Sequence, residues 1–287
     1  MASNMKAVKL RIKSVQSTRQ ITKAMELVAS SKLRKAKDRA DQCRDYYQEL
    51  YRNLKDIADA NTDFTSDYVR ESQNEKYCYI VVAGDRGLAG GYNSNLFKTL
   101  EAAAAGKPYS VLPIGKKAVE YFKRRKVELL TEQFAEIASI SVSDCFTIAH
   151  LLCREFQEGQ FGHIELCYTK FLSMLSQRPD TMPVLPLADM TDMDEPENQK
   201  QIRELILYEP NAQEVYDAIV PEYLAGVIYG AVCEGVASEL AARRNAMDSA
   251  TKNADEMLEQ LNLFYNRARQ ASITQEITEI VAGAEGV

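Results

Sequence analysis

The stretch G-D-R-G-L-A-G-G, residues 84–91, holds the residue types best suited to chemistry in this chain. Glycines between a strand and a helix can turn backbone N–H groups toward a phosphate. The dinucleotide fingerprint is G-x-G-x-x-G and the P-loop is G-x-x-x-x-G-K-[ST]. This stretch reads G-x-x-G-x-x-G-G, with no Lys-Ser or Lys-Thr behind it, so its spacing favours a tight strand-to-helix turn over a nucleotide site.

Other chemistry has less support. The chain has two histidines, His150 and His163, and neither G-x-S-x-G nor H-E-x-x-H occurs. The acids of D-M-D-E-P-E, residues 192–197, lie in a Pro-containing loop and read as a solvated turn. Six cysteines are scattered without C-x-x-C spacing, which fits reduced thiols in a cytoplasmic compartment. No catalytic constellation emerges, and neither a metal nor a cofactor is expected.

The elements around the glycine-rich stretch define its setting. Residues 77–83 read as a buried strand, followed by a helix over 95–105, a strand over 110–114, helices over 116–125 and 143–157, and an alternating strand over 163–171. Strands alternating with helices predict a small, parallel-rich α/β sheet. Residues 177–201 read as an edge strand plus an irregular connection.

Flanking this region are two long helical segments. Residues 4–60 contain no Gly or Pro; Met5, Val8, Ile12 and Val15, then Ala36, Ala40, Cys43, Tyr47, Leu50, Leu54 and Ile57, follow the 3-4 spacing of a coiled-coil seam. Near the other end, Met247, Ala250, Ala254, Met257, Leu261, Phe264, Ala268 and Ala271 step likewise. An antiparallel pairing of the two is the economical geometry, and its alanine-rich seam predicts a thin rod. N-A-Q-E from Asn211 predicts a cap for a short helix, with Pro221 interrupting it and starting the long one. Gly226 and Gly230, flanked by Glu222 and Glu234, read as close helix packing in water. The expected division is 1–60, 61–208 and 209–287.

The longest uncharged apolar run in the C-terminal half, residues 223–233, is 11 residues, against roughly 20 for a bilayer span, and the basic N-terminal segment lacks a signal-peptide apolar region. No direct membrane insertion is expected. Residues 1–55 carry 14 Lys or Arg against 5 Asp or Glu, a net of +9, which leaves −15 on the remainder of a chain totalling −6. Such a segment wants an acidic neighbour. The run S-K-L-R-K-A-K-D-R, residues 31–39, reads equally as a solvated helix face or as the seat of an acidic partner; nucleic acid ranks below both, given the absence of interleaved aromatics and a pI near 5.3.

Four motifs bring the chain close to one family. I-T-K-A-M-E-L-V-A-S-S-K-L-R-K-A (21–36), D-R-G-L-A-G-G-Y-N-S-N (85–95), Y-E-P (208–210) and R-A-R-Q-A-S-I-T-Q-E-I-T-E-I-V-A-G-A (267–284) closely resemble the gamma subunit of the bacterial-type rotary ATP synthase, end to end and in length. The middle motif of that family usually reads S-D-R-G-L-C-G-G; Gly84 and Ala89 stand here instead. The resemblance implies a coiled coil of the terminal helices with an inserted Rossmann-like α/β domain, and a non-catalytic shaft turning within the alpha/beta ring. It would couple rotation of the membrane c ring, driven by protons or sodium, to ATP synthesis, or hydrolysis to pumping.

By the same resemblance, Arg269, Gln270 and Thr274 match the positions that meet a catch loop of a beta subunit. Ile273, Ile277 and Ile280 match the bearing tip, out of phase with the preceding seam. Lys23, Met25, Lys32, Arg34 and Lys35 match the region near the acidic lever of the beta subunits, and Tyr208 and Glu209 match the foot on the c ring, where the epsilon subunit also sits. Location at the cytoplasmic face of the cell membrane follows. The alternatives are a nucleotide-binding α/β enzyme with a coiled-coil arm, and a coiled-coil scaffold for nucleic acid with steeply salt-dependent binding.

Overall fold

The computed structural model describes residues 2–60, 65–70, 74–187 and 208–285. The elements in chain order are α1 (Ala2–Ala60), β1 (Tyr77–Val82), α2 (Tyr92–Ala103), β2 (Tyr109–Ile114), α3 (Lys116–Arg124), α4 (Val142–Gln157), β3 (His163–Phe171), β4 (Gln177–Leu185) and α5 (Ala212–Glu285). The chain divides into two compact units: residues 1–31 with 243–287, and residues 32–242.

In the larger unit the sheet order is β2-β1-β3-β4; β1 runs parallel to β2 and β3, and β4 is antiparallel to β3. Strand periodicity divides the core between two faces. Cys78, Ile80 and Val82 of β1 join Ile148 and Leu152 of α4, Leu54 and Ile57 of α1, and Tyr216, Leu224 and Ile228 of α5. Tyr79 and Val81 pack on the opposite face with Leu96 and Leu100 of α2 and Phe122 of α3. Because helices cover both faces, Leu166, Cys167 and Tyr168 of β3 are buried in succession, and the expected alternation survives only at the start of that strand. The edge strand β4 carries Pro179 and Pro183, which an edge tolerates. The rest of the expected irregular connection falls largely outside the described residues.

The α1 and α5 segments within this unit run antiparallel. Arg44 meets Glu234, Tyr47 meets Gly230, and the rings of Tyr51 and Tyr223 lie 5.9 Å apart. A Cβ on Gly230 would stand 2.7 Å from the Tyr47 ring, so the missing side chain makes room for an aromatic, as the close-packing reading of that glycine pair expects.

Asn211 caps α5, accepting from the Glu214 N–H at 2.8 Å while its amide donates to the Glu214 carboxylate at 2.7 Å. Pro221, however, does not interrupt the helix, which runs unbroken from Ala212 to Glu285. An interior proline costs roughly 3 kcal/mol. Around it Tyr216, Val220 and Leu224 are fully buried, and each contributes about 1.5–3 kcal/mol by burial, so packing outweighs the lost hydrogen bond. The same helix contains a stretch long and apolar enough by composition to cross a membrane, with mean hydropathy 1.3; 78% of it is buried inside the fold, as expected of a core helix.

In the smaller unit α1 and α5 also run antiparallel, with Arg19 bonded to Asp255 and Thr22 to Thr251. On α1, Met5, Val8 and Ile12 are partly buried and Val15 is buried, as the spacing predicts. On α5 the seam differs from expectation. Met247, Thr251, Ala254, Leu258, Leu261, Tyr265 and Ala268 are buried or partly buried, whereas Met257 and Phe264 are 41% and 51% exposed. Two adjacent apolar stripes compete on this helix. The buried Thr22–Thr251 hydrogen bond fits the stripe that carries Leu258 and Tyr265.

Candidate functional site

The glycine-rich loop is closed by its own chain. Asp85 Oδ1 accepts from the backbone N–H of Lys116 at 3.1 Å, at the first residue of α3, and from that of Ile137 at 3.0 Å; Oδ2 accepts from Ala138 N–H at 3.3 Å. A carboxylate at a helix N-terminus occupies the position that favours a phosphate. The Gly84 N–H donates to Asn93 Oδ1 at 2.9 Å, and Lys117 N–H donates to the Gly84 carbonyl at 3.1 Å. A Cβ on Gly84 would lie 2.8 Å from the carboxyl carbon of buried Glu239. These bonds make the segment the tight strand-to-helix turn expected from its spacing.

His163 stacks on Tyr77 at 4.5 Å and His150 is exposed on α4. Among the described residues no group of three or more His, Cys, Asp or Glu is placed to hold a metal ion. The acidic run 192–197 lies outside them.

The C-terminal end of α5 presents a surface instead. Arg269, Gln270 and Thr274 are exposed, and Arg269 forms no ion pair among the described residues. Every side chain described from Ile273 to Ala282 is exposed, including Ile273 (46%), Ile277 (56%) and Ile280 (71%). Local polar bonds hold the remaining faces: Gln275 donates to Glu279 at 2.8 Å, and the Thr278 hydroxyl to the Thr274 carbonyl at 2.9 Å. Three isoleucines at i, i+4 and i+7 form one helical stripe.

On α1, Lys23 is exposed and bonded to Glu26 at 2.9 Å, and Met25 is half-buried. Lys32, Arg34 and Lys35 are exposed and make no ion pair among the described residues. Tyr208 packs against the larger core while the adjacent Glu209 is exposed.

The structure also brings together residues that spacing alone did not join: Thr22 with Thr251, Arg44 with Glu234, and Cys43 with Cys233. The last two pairs are each separated by 190 positions. Only the antiparallel register, not a local motif, could have revealed them.

Fold and surface together define a class: long antiparallel paired helices, and a three-layer α/β part in which the turn after β1 bonds through Asp85 to the start of α3. The family model for ATP synthase matches residues 4–287. The ATP synthase gamma chain of Ruminococcus albus is 45% identical over 97% of this chain and 96% of its own. The sodium ion specific gamma chain of Acetobacterium woodii is 36% identical, with both chains fully covered. Among solved structures, a chain of the Euglena gracilis mitochondrial ATP synthase superposes with a TM-score of 0.67 at 17% identity, over 100% of this chain and 95% of that one, a likeness of fold. This chain belongs to the ATP synthase gamma chain family.

Proposed function

We propose that this chain is the central rotor shaft of an ATP synthase. It is a non-catalytic subunit that couples rotation of a membrane c ring to conformational change in the alpha/beta ring, for synthesis or hydrolysis-driven pumping. The observation that carries the reading is the exposed isoleucine stripe of Ile273, Ile277 and Ile280 at the end of a 74-residue helix. Uncovered apolar stripes mark interaction surfaces, and an apolar sleeve would satisfy this one.

In this reading Arg269, Gln270 and Thr274 meet a beta-subunit catch loop, where a guanidinium can grip a carboxylate bidentately and release it. Lys23, Met25, Lys32, Arg34 and Lys35 face the acidic lever of the beta subunits, which supplies the neighbour demanded by the +9 segment. Tyr208 and Glu209 stand at the foot, with the c ring and epsilon subunit. The complex is membrane-associated, and this subunit sits peripherally at the cytoplasmic face. An asymmetric shaft that contacts each catalytic site differently shifts the three sites through their states in turn.

The test mixes the purified chain with alpha and beta subunits of the same organism. A single complex holding one copy of the chain, with hydrolysis well above that of any component alone, is expected. No complex under conditions where alpha and beta are folded would overturn the reading.

A further inference from the structure

Cys43 on α1 and Cys233 on α5 lie 190 residues apart in sequence, and their sulfurs are 3.8 Å apart. Both belong to the larger unit. Cys43 is partly exposed and borders an apolar cavity of about 270 Å³ lined also by Tyr46, Phe146 and Tyr229. Cys233 is buried beside it. Burial raises both thiols, Cys43 above its ordinary value and Cys233, which the neighbouring Cys43 also raises, to about 12, while the Arg39 guanidinium pulls the other way on both. The other four cysteines are buried.

We propose that Cys43 and Cys233 are a thiol–disulfide pair, oxidised by low-molecular-weight disulfides, that joins α1 covalently to α5. Cys43, the more accessible sulfur, gives up its proton and attacks one sulfur of the small disulfide. A mixed disulfide forms and one small thiol leaves, taking up a proton. Cys233 then attacks the Cys43 sulfur, the mixed disulfide breaks, and the second small thiol leaves. Two protein thiols lose two electrons and two protons, and one small disulfide becomes two thiols. To form the bond the sulfurs close from 3.8 Å to roughly 2 Å. The bond closes a loop spanning most of the chain, so it restrains the unfolded state strongly. This pair is independent of the shaft reading.

The experiment incubates the folded full chain with oxidised glutathione and counts thiols by mass spectrometry. The expected product has lost two hydrogens, retains no glutathione and yields a single peptide link between positions 43 and 233. Its melting midpoint rises by roughly 10 °C and returns on reduction with dithiothreitol. Cys43→Ser and Cys233→Ser each abolish the link. The proposal is overturned by a stable glutathione adduct on Cys43, by a link from Cys43 to Cys145 or to a second chain, or by retention of all six thiols while the urea-unfolded chain oxidises. It is equally overturned if Cys43→Ser, a change at a partly exposed position, still loses two thiols.

Discussion

The hydroxyls of Thr22 and Thr251 lie 2.8 Å apart in the buried seam between α1 and α5 of the smaller unit. Each also reaches a carbonyl of its own helix, Thr22 that of Arg19 at 3.0 Å and Thr251 that of Met247 at 2.8 Å. Two protons serve three contacts, so one hydroxyl donates across the seam while the other donates to its own helix. Either can fall back on its own carbonyl. Thr251→Val is therefore expected to cost only about 0.5–1.5 kcal/mol, and Thr22→Val/Thr251→Val no more than either single change. Urea unfolding of the three variants checks this; a double variant much worse than the singles would show that the hydroxyls do more than pair.

Arg44 Nη2 stands 2.9 Å from Glu234 Oε1, with the Glu234 side chain 9% exposed and that of Arg44 40%. Arg44→Ala leaves a carboxylate buried without its cation. The exposure of Arg44 admits water and softens the loss to about 2 kcal/mol. Adding Glu234→Gln should restore at least half of it, read as a positive coupling in a double-mutant cycle.

Burial raises the Glu165 carboxyl above its ordinary value, against the opposing pull of Lys107, 3.9 Å away, and His163. A raised folded value means the folded chain binds more protons than the unfolded chain across the window between the two values. Stability from this group thus falls as pH rises through that window, and the ionised carboxylate stays unfavourable above it. Glu165→Gln should raise the urea midpoint at about pH 7 and leave it unchanged at about pH 3. A variant less stable than the parent at neutral pH would mean that the Lys107 contact outweighs desolvation.

Gly115 joins β2 to α3 at φ +98°, and a Cβ there would stand 2.0 Å from the Ala83 carbonyl oxygen. Gly115→Ala is expected to cost upward of about 4 kcal/mol, because left-handed strain adds to a backbone overlap that no side-chain rotation relieves. Gly106→Ala, also at positive φ but facing open space, should cost about 1 kcal/mol. Thermal melting of the two variants separates the overlap from the strain.

Arg269→Ala with Gln270→Ala removes exposed side chains only, so the isolated chain should melt within about 0.5 kcal/mol of the parent. If these residues grip a catch loop, the reconstituted complex should lose assembly or ATP synthesis by several-fold. Unchanged assembly, synthesis and hydrolysis would remove the two residues from the contact.

The α1 seam was legible over residues 5–15 and 36–57, where one apolar stripe dominates. Between them the packed residues are Thr22, Ala29 and Leu33 while Ile21, Leu27 and Val28 are exposed, and spacing named none of these. On α5 two stripes are nearly equal in hydrophobicity, and the deciding residue, Thr251, is polar. Spacing therefore favoured Met257 and Phe264 over the packed Leu258 and Tyr265. Pro221 misled in the same way, since local propensity carries no information about Tyr216 and Leu224 burying themselves on either side. The glycine-rich turn was correctly read as a turn from its spacing. What closes it was not legible, because Asp85 is held by backbone N–H groups, which every residue but proline possesses.

The Asp85 carboxylate also makes one helix cap independent of the surrounding solution. Doubly wound sheets commonly take a ligand at the crevice beyond their strand ends, and an anion that must be bound comes and goes with its concentration. Here the anion is tethered to the chain and always present. The cap on α3, and with it the link from the turn after β1 to the end of β2, is therefore set by the fold rather than by a dissolved anion.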